Sequence, residues 1–154
     1  MSLQDLGDAF AIIDAYTGTK RFMGPRPVEL VEKAERVLGI PLPPTYRKFV
    51  SELGAGSVGG LEFYGITQDD FESASVPNGI WLTLNDRREL GLPTHLIIVY
   101  SDGMGGLCAL DSTGANAQGE YPVVRWTGLY SPEAERIAPD FGAFLKHTLE
   151  ELLE

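Results

Sequence analysis

The segment LGIPLPPTYRKFVSELGAG, residues 38–56, constrains the fold most, because three prolines separate one helix pattern from the next. Pro41 and Pro43 cannot continue a helix, since proline has no N–H and its ring clashes with the preceding turn. Pro44 can begin a helix, because its fixed φ suits the first helical position. Apolar residues then recur along one face of a helix that ends at Gly54, namely Tyr46, Phe49, Val50 and Leu53. The stiff corner therefore predicts a structural scaffold that packs on a sheet, and not a catalytic loop.

Further helices are predicted on both sides of this corner. The first residues show apolar three- and four-residue spacing and a Ser2–Asp5 capping pair, which predicts a helix ending near Gly18. VELVEKAERVLG predicts a second helix that stops at Gly39, after the basic segment TKRFMGPRP, which we interpret as a loop. NGIWLTLNDRRELG and PDFGAFLKHTLEELLE predict two later helices, with Asn78 and Asp140 as their N-caps.

Strand patterns occupy the middle of the chain. LIIVYS and LCALD are two apolar runs joined by DGMGG, which predicts a β-hairpin. Alternation along LCALD places Leu107 and Ala109 on one face and Cys108 and Leu110 on the other. LEFYGI and YPVVRW supply further strands. The fold class expected is α+β, with a mostly antiparallel central sheet and helices from the N-terminal and C-terminal segments packed around it.

Composition limits the possible functions. The 154 residues suit a single domain, 1–154, and the formal net charge of −10 opposes direct binding to nucleic-acid phosphates. Such a charge can instead speed encounter with a basic protein partner. Cys108 is the one cysteine, so an internal disulfide is excluded, and no apolar run reaches the roughly 20 residues of a membrane span. We expect a cytoplasmic protein that neither enters a membrane nor binds nucleic acid directly.

The motifs that could suggest catalysis or a cofactor are weak. GAGSVGG follows a helix and enters a strand, whereas phosphate-binding loops precede a helix N-terminus, so we interpret it as a helix cap and turn. Cys108 lies within an apolar run where nothing nearby would activate its thiol. His95 and His147 with one cysteine cannot complete a zinc set. We therefore predict no catalytic residues, no metal and no cofactor.

Two acidic segments combine charge with an aromatic residue, a mixture that partner-binding loops use. These candidate partner-binding residues are Asp69, Asp70, Phe71 and Glu72 in TQDDFES, and Tyr130, Glu133 and Glu135 in LYSPEAE. The alternative for each segment is a solvated turn around a core aromatic.

Six pieces of the chain, in order, carry a family resemblance: LG at 38–39, LPPTYRKFVSELGAG at 42–56, FYG at 63–65, LPTHLIIVYSDGMGGLCALD at 92–111, YPVVRW at 121–126 and FGAFL at 141–145. This series resembles the SUKH superfamily, which includes fungal Smi/Knr cell-wall regulators and bacterial immunity proteins. The GAG glycines and PVVRW are most similar to the bacterial members encoded beside polymorphic toxins. The resemblance implies a family core at 27–154, preceded by a helix and loop extension at 1–26.

The resemblance also implies what the protein does. It implies a non-catalytic immunity protein that neutralises a cognate toxin domain, commonly a basic nuclease, by covering its active or substrate-binding surface. The alternative is an intracellular regulatory module of the Smi/Knr type with a non-toxin partner. The family offers no shared catalytic residues, and the motif positions that match are expected to serve as scaffold: Leu42, Pro43, Tyr46, Phe49, Gly54, Gly56, Gly106 and Trp126.

Overall fold

The structure is a computed structural model that describes residues 2–128 and 134–154. Its α-helices are α1 (Ser2–Ala15), α2 (Val28–Leu38), α3 (Pro44–Glu52), α4 (Gly79–Glu89) and α5 (Phe141–Leu152). Its strands are β1 (Lys20–Phe22), β2 (Gly56–Val58), β3 (Leu61–Phe63), β4 (Leu96–Ser101), β5 (Leu107–Asp111), β6 (Val123–Trp126) and β7 (Glu135–Ala138). A short 3₁₀ turn at Ser112–Gly114 follows β5.

The strands form one sheet in the order β1-β2-β3-β4-β5-β6-β7, with antiparallel pairing between the named neighbours. The chain is therefore α+β with helices at both ends and an antiparallel sheet, which confirms the predicted fold class. Each strand pairs with the next one in sequence, so the sheet is a continuous meander.

Three strands fall where the sequence indicated turns or loops. The basic segment at 19–27 contains β1 and Glu135 begins β7, so the loop interpretations were wrong there. In the glycine-rich segment at 54–60, the predicted cap at Gly54 and a turn at 59–60 are present, but Gly56–Val58 form β2. β1 and β7 are mostly exposed, so neither shows the apolar alternation that marks a strand. β2 begins at Gly56, where a Cβ would collide with the Arg21 carbonyl oxygen and with Phe22 of β1. The glycine that resembled a turn residue therefore permits close strand pairing.

The two faces of the sheet are packed differently. One face and the helices α1, α2, α3 and α5 enclose the main core, which includes Cys108 and Leu110. The opposite face carries a smaller apolar cluster, which includes Ala109 and against which Leu107 packs. The alternation predicted along β5 is confirmed.

Helix α4 covers the edge of β4 that β3 leaves free. β3 and β4 pair only at Phe63 and Tyr100, and further along β4 the N–H of Ile98 donates to the Thr83 hydroxyl at 2.9 Å. The same hydroxyl donates to the Gly79 carbonyl at 2.7 Å. The predicted cap at Asn78 is confirmed, because its side chain accepts hydrogen bonds from the first turn of α4.

The proline corner is held by residues distant in sequence. Helix α3 begins at Pro44 as predicted, and the residue before it, Pro43, has no side chain that could cap the helix. The buried carboxylate of Glu120 takes this role, because it accepts from the Thr45 N–H at 3.0 Å and from the Thr45 hydroxyl at 2.9 Å. The Thr45 hydroxyl in turn accepts from the Gly142 N–H at 3.2 Å. One carboxylate thus joins the N-terminal ends of α3 and α5.

Helices α1 and α5 pack against each other, although they lie at opposite ends of the sequence. A Cβ at Gly142 would meet the Ser2 carbonyl oxygen, so glycine permits the close approach of the two helices. The Lys146 ammonium donates to the Asp8 carboxylate at 3.0 Å, and the predicted cap Asp140 accepts from the Ala143 N–H at 2.8 Å. Helix α1 therefore shares the main core, while the division at residues 1–26 and 27–154 stays a prediction.

The environment of Glu120 makes folding depend on pH. Burial raises the pKa of this carboxyl and the nearby Asp140 adds to the rise, although the hydrogen bonds from Thr45 oppose it. A carboxyl with a raised folded-state pKa binds protons more tightly in the native state, so its contribution to stability falls as pH rises from its ordinary value of 4.5 through the raised value.

We predict that Glu120→Gln removes this part of the pH dependence. The free energy of unfolding of the unsubstituted protein, relative to that of the variant, should fall as pH rises above about 4.5 and then level off. Urea unfolding of both proteins from that pH to roughly pH 8 would measure the difference. A constant difference over the whole range would contradict the assignment.

Candidate partner-binding surfaces

The acidic turn, residues 69–72, lies between β3 and α4 and contacts α2. Asp69 and Glu72 are exposed, and the Lys33 ammonium donates to the Asp69 backbone carbonyl at 2.7 Å. The Asp70 carboxylate accepts from the N–H groups of Glu72 and Ser73 at 3.0 and 2.9 Å. Asp70 therefore stabilises the turn, whereas the carboxylates of Asp69 and Glu72 face solvent.

Phe71 does not lie on the surface of this turn. Its side chain is 3% exposed and belongs to the main core, with the Lys33 Nζ 5.5 Å from the ring centroid. Phe71 therefore follows the alternative given for this segment, a core aromatic beneath a polar turn, and it is not an exposed anchor for a partner. A shallow cavity of about 370 Å³ remains beside it, lined in part by Val37 and Glu72.

The second predicted segment is described only in part. Tyr130 and Glu133 lie outside the described residues. Glu135 begins β7 with an exposed side chain and pairs with Arg125 in the register of β6 and β7. The structure thus places Glu135 on a strand and the acidic turn beside α2, on separate elements of the fold. A partner-binding role for either stays a prediction.

A row of four side chains crosses the sheet from β4 to β7. The register pairs Tyr100 with Cys108, Cys108 with Arg125, and Arg125 with Glu135. Residues paired across neighbouring strands share a face, so this row lies on the face that α5 covers. Tyr100, from this row, lines a cavity of about 610 Å³ against α5, here called the α5–β7 groove, whose other lining residues include Asp102, Ile137, Phe144, His147 and Glu151.

Electrostatic contacts hold the Asp102 carboxylate, which lines this groove. The Arg125 Nε donates to the Asp102 carboxylate at 2.6 Å, and the other oxygen of Asp102 accepts from the N–H groups of Met104 and Gly106 at 2.8 and 3.0 Å. The hydrogen bond from Arg125 lowers the pKa of the Asp102 carboxyl, and the two backbone donors lower it further. A Cβ at Gly106 would collide with the Arg125 guanidinium and the Asp102 carboxylate. Glycine at 106 thus leaves room for the ion pair.

Sequence reasoning did not bring these groove residues together. They come from the β4–β5 hairpin, β7 and α5, and Arg125, which holds Asp102, comes from β6, so no local pattern joins them. One signal was present, since Arg125 interrupts the apolar run of YPVVRW and a charged residue in a half-buried strand implies a partner.

The cysteine and the two histidines show no arrangement that indicates catalysis or metal binding in the part of the chain that the structure describes. Burial raises the pKa of the Cys108 thiol to about 11, so the thiol is protonated at neutral pH, as its predicted core position implies. The His95 Nε2 lies 3.9 Å from the Asp111 carboxylate, and the exposed His147 lies 3.0 Å from Glu151. Across residues 2–128 and 134–154, no three His, Cys, Asp or Glu side chains are grouped to hold a metal ion.

The positions expected to serve as scaffold are buried, and they are Leu42, Pro43, Tyr46, Phe49, Gly54, Gly56, Gly106 and Trp126. Tyr46 illustrates their role, because its ring packs on Phe49 and Phe141 and its hydroxyl donates to the Tyr64 carbonyl at 2.9 Å. Gly54 has φ 74°, and a Cβ there would crowd the Gly24 carbonyl oxygen.

The chain also matches a known protein family. The family model SUKH_5, described as SMI1-KNR4 cell-wall, matches residues 11–150. The chain therefore belongs to the SUKH superfamily, which confirms the resemblance seen in the sequence. Membership supports an immunity-like or regulatory protein-interaction domain.

Two further findings accompany this family match. Comparison with curated proteins finds no significant match. Of the helices that the structure describes, none has the length and apolar character of a membrane span.

We predict that Phe71→Ala destabilises the protein by about 3–5 kcal/mol, because it removes a buried ring from the core. Urea unfolding would measure the loss, with Val76→Ala as the control, since Val76 is exposed in the same connection and should change stability little. If the two variants were equally stable, Phe71 would lie outside the core.

We also predict that Asp102→Asn destabilises the protein in a pH-dependent manner. The lowered pKa of Asp102 means that its contribution to stability is present above the ordinary value of 3.8 and is lost as pH falls through the lowered value. The unsubstituted protein and the variant should therefore differ most near neutral pH and converge in acid. Urea unfolding midpoints of both proteins, measured across this pH range, would test the prediction. A stability difference that grows as pH falls would contradict the ion pair.

Proposed function

We propose that this protein is a non-catalytic immunity protein that binds a cognate toxin domain, a nuclease, and neutralises it by covering its active or substrate-binding surface. The observation that carries the proposal is the SUKH match over residues 11–150, because the family supports an immunity-like or regulatory protein-interaction domain. Inhibition requires only that a surface be occupied, so the protein needs no turnover.

Charge supports a basic partner. The formal net charge is −10, and a nuclease attracts phosphate with basic side chains. An acidic inhibitor is therefore complementary to the surface where the substrate would bind, and long-range attraction speeds encounter. The exposed carboxylates of Asp69 and Glu72 fit such a contact, while Asp70 is engaged in holding the turn.

The second candidate is a regulatory interaction module. The description of the matching family as SMI1-KNR4 cell-wall favours it, because the resemblance seen in the sequence implies a cell-wall regulatory role for proteins of the Smi/Knr type. Such a module would bind a partner of its own cell without abolishing a toxic activity. Growth in the presence of a toxin therefore separates the two candidates.

We predict that co-expression of this protein restores growth to cells that make the toxin-like domain encoded next to its gene. The double variant Asp69→Lys/Glu72→Lys should lose rescue, because it reverses two exposed charges while keeping the Asp70 hydrogen bonds. The control, Asp14→Lys/Glu62→Lys, makes the same change of net charge at exposed residues of α1 and β3 and should retain rescue.

Binding of the purified pair completes this test. A one-to-one complex should form and weaken as salt rises from about 50 to about 500 mM, since screening shortens the range of the attraction. Unchanged affinity across that range would remove the electrostatic part of the proposal. Failure of rescue, with no complex on mixing, would leave the regulatory module as the better explanation.

A further inference from the structure

We propose that the α5–β7 groove receives a basic side chain, arginine or lysine, flanked by apolar residues of the partner protein. This inference deepens the proposed function, on which it rests for the identity of the partner. It assigns binding to the groove between α5 and the β7 side of the sheet, separately from the acidic turn.

The size and lining of the groove suit one inserted side chain with its neighbours. Its volume of about 610 Å³ falls in the range of sites that bury a small ligand. Ile137, which is 42% exposed, and the ring of Phe144 provide apolar walls for the methylene stem of an arginine or lysine. The Tyr100 ring lies between those of Phe63 and Phe144, with ring-centroid distances of 5.3 and 5.6 Å. These contacts fix the side of the groove that Tyr100 and Phe144 form.

Charge selects a cation over an anion. Glu151 lines the groove from α5 with an exposed side chain, Asp102 adds a second carboxylate, and the exposed Glu135 at the start of β7 is the register partner of Arg125. Arg125 brings one positive charge against these three carboxylates, and its guanidinium is hydrogen-bonded to Asp102 while its register partner is Glu135. His147 faces Glu151 from the same helix. The complementary group is therefore a guanidinium or ammonium that lies near Glu135 and Glu151.

The edge of β7 argues for side-chain insertion and against the addition of a partner strand. The register between β6 and β7 shifts at Val123 and Val124, which leaves Ile137 as the extra residue of a bulge. Pro139 follows directly after the strand and also lines the groove. A bulge and a proline both disfavour pairing at a sheet edge, so the docking feature here is the groove.

We predict that a basic peptide binds the groove of the intact protein at low salt. The probe is Ac-Leu-Arg-Leu-Arg-NH₂, and its neutral match is Ac-Leu-Gln-Leu-Gln-NH₂. In ¹H–¹⁵N spectra the basic peptide should shift the amides of Ala138, Phe144 and Thr148, while the neutral peptide should shift them at least about tenfold less at equal concentration.

Variants locate the contact. Glu135→Lys/Glu151→Lys should weaken binding of the basic peptide by about tenfold or more, whereas Asp14→Lys/Glu62→Lys carries the same change of net charge and should bind as before. Ile137→Ala should also weaken binding, and Leu3→Ala, at a comparably exposed apolar residue of α1, should not.

Three outcomes would overturn the proposal: no shifts with the basic peptide, equal shifts with the neutral one, or shifts centred on the acidic turn. Because the peptide assay needs no toxin, its result is independent of rescue. Rescue without peptide binding would support immunity and contradict binding in the groove. Peptide binding without rescue would support the groove as a binding site and contradict immunity against that toxin.

Discussion

The hydrogen bonds from Thr45 to the Glu120 carboxylate join the parts of this fold. A helix that starts at two consecutive prolines has no side-chain cap of its own, and its first N–H groups need an acceptor. Glu120 provides that acceptor from 75 residues further along the chain, while the Thr45 hydroxyl accepts from the first turn of α5. The corner between α2 and α3, the segment before β6 and the last helix are thereby fixed to one another. Placing a carboxylate in the core costs desolvation, and the compensation is that several elements meet in a single geometry.

Much of the fold could be predicted because apolar spacing and stop residues are local signals. The stripe from Tyr46 to Leu53, the left-handed Gly39, the caps at Asn78 and Asp140 and the β4–β5 hairpin all appear where the sequence indicated them. The strands β1, β2 and β7 could not be found in this way. They are three or four residues long, and their existence depends on the neighbouring strand, as the clash that Gly56 avoids makes clear. For short strands at or near the edge of a sheet, tertiary pairing decides the structure and local pattern does not.

Of the two candidate surfaces, one could be located from the sequence and the other could not. The acidic turn could be located from sequence because its residues are adjacent, although the sequence alone could not show that Phe71 faces inward. The α5–β7 groove depends on strand register, since one residue of slip would turn Arg125 to the opposite face. Only the structure shows that Asp102, Arg125 and Glu135 share a face with α5. Family membership supports a protein-interaction domain, and the two surfaces are distinct hypotheses about where that interaction occurs.

The contact between α1 and α5 has a kinetic consequence. The meander pairs strands with their nearest neighbours in sequence, so most sheet contacts close short loops, whereas Lys146 and Asp8 are separated by 138 residues. The entropy of loop closure rises with the logarithm of loop length, so this contact is among the most demanding to form from an extended chain. One wall of the groove is α5 itself. We therefore expect a folding intermediate that has the sheet but lacks a docked α5 to have no groove, which would make binding competence a late and cooperative property of folding.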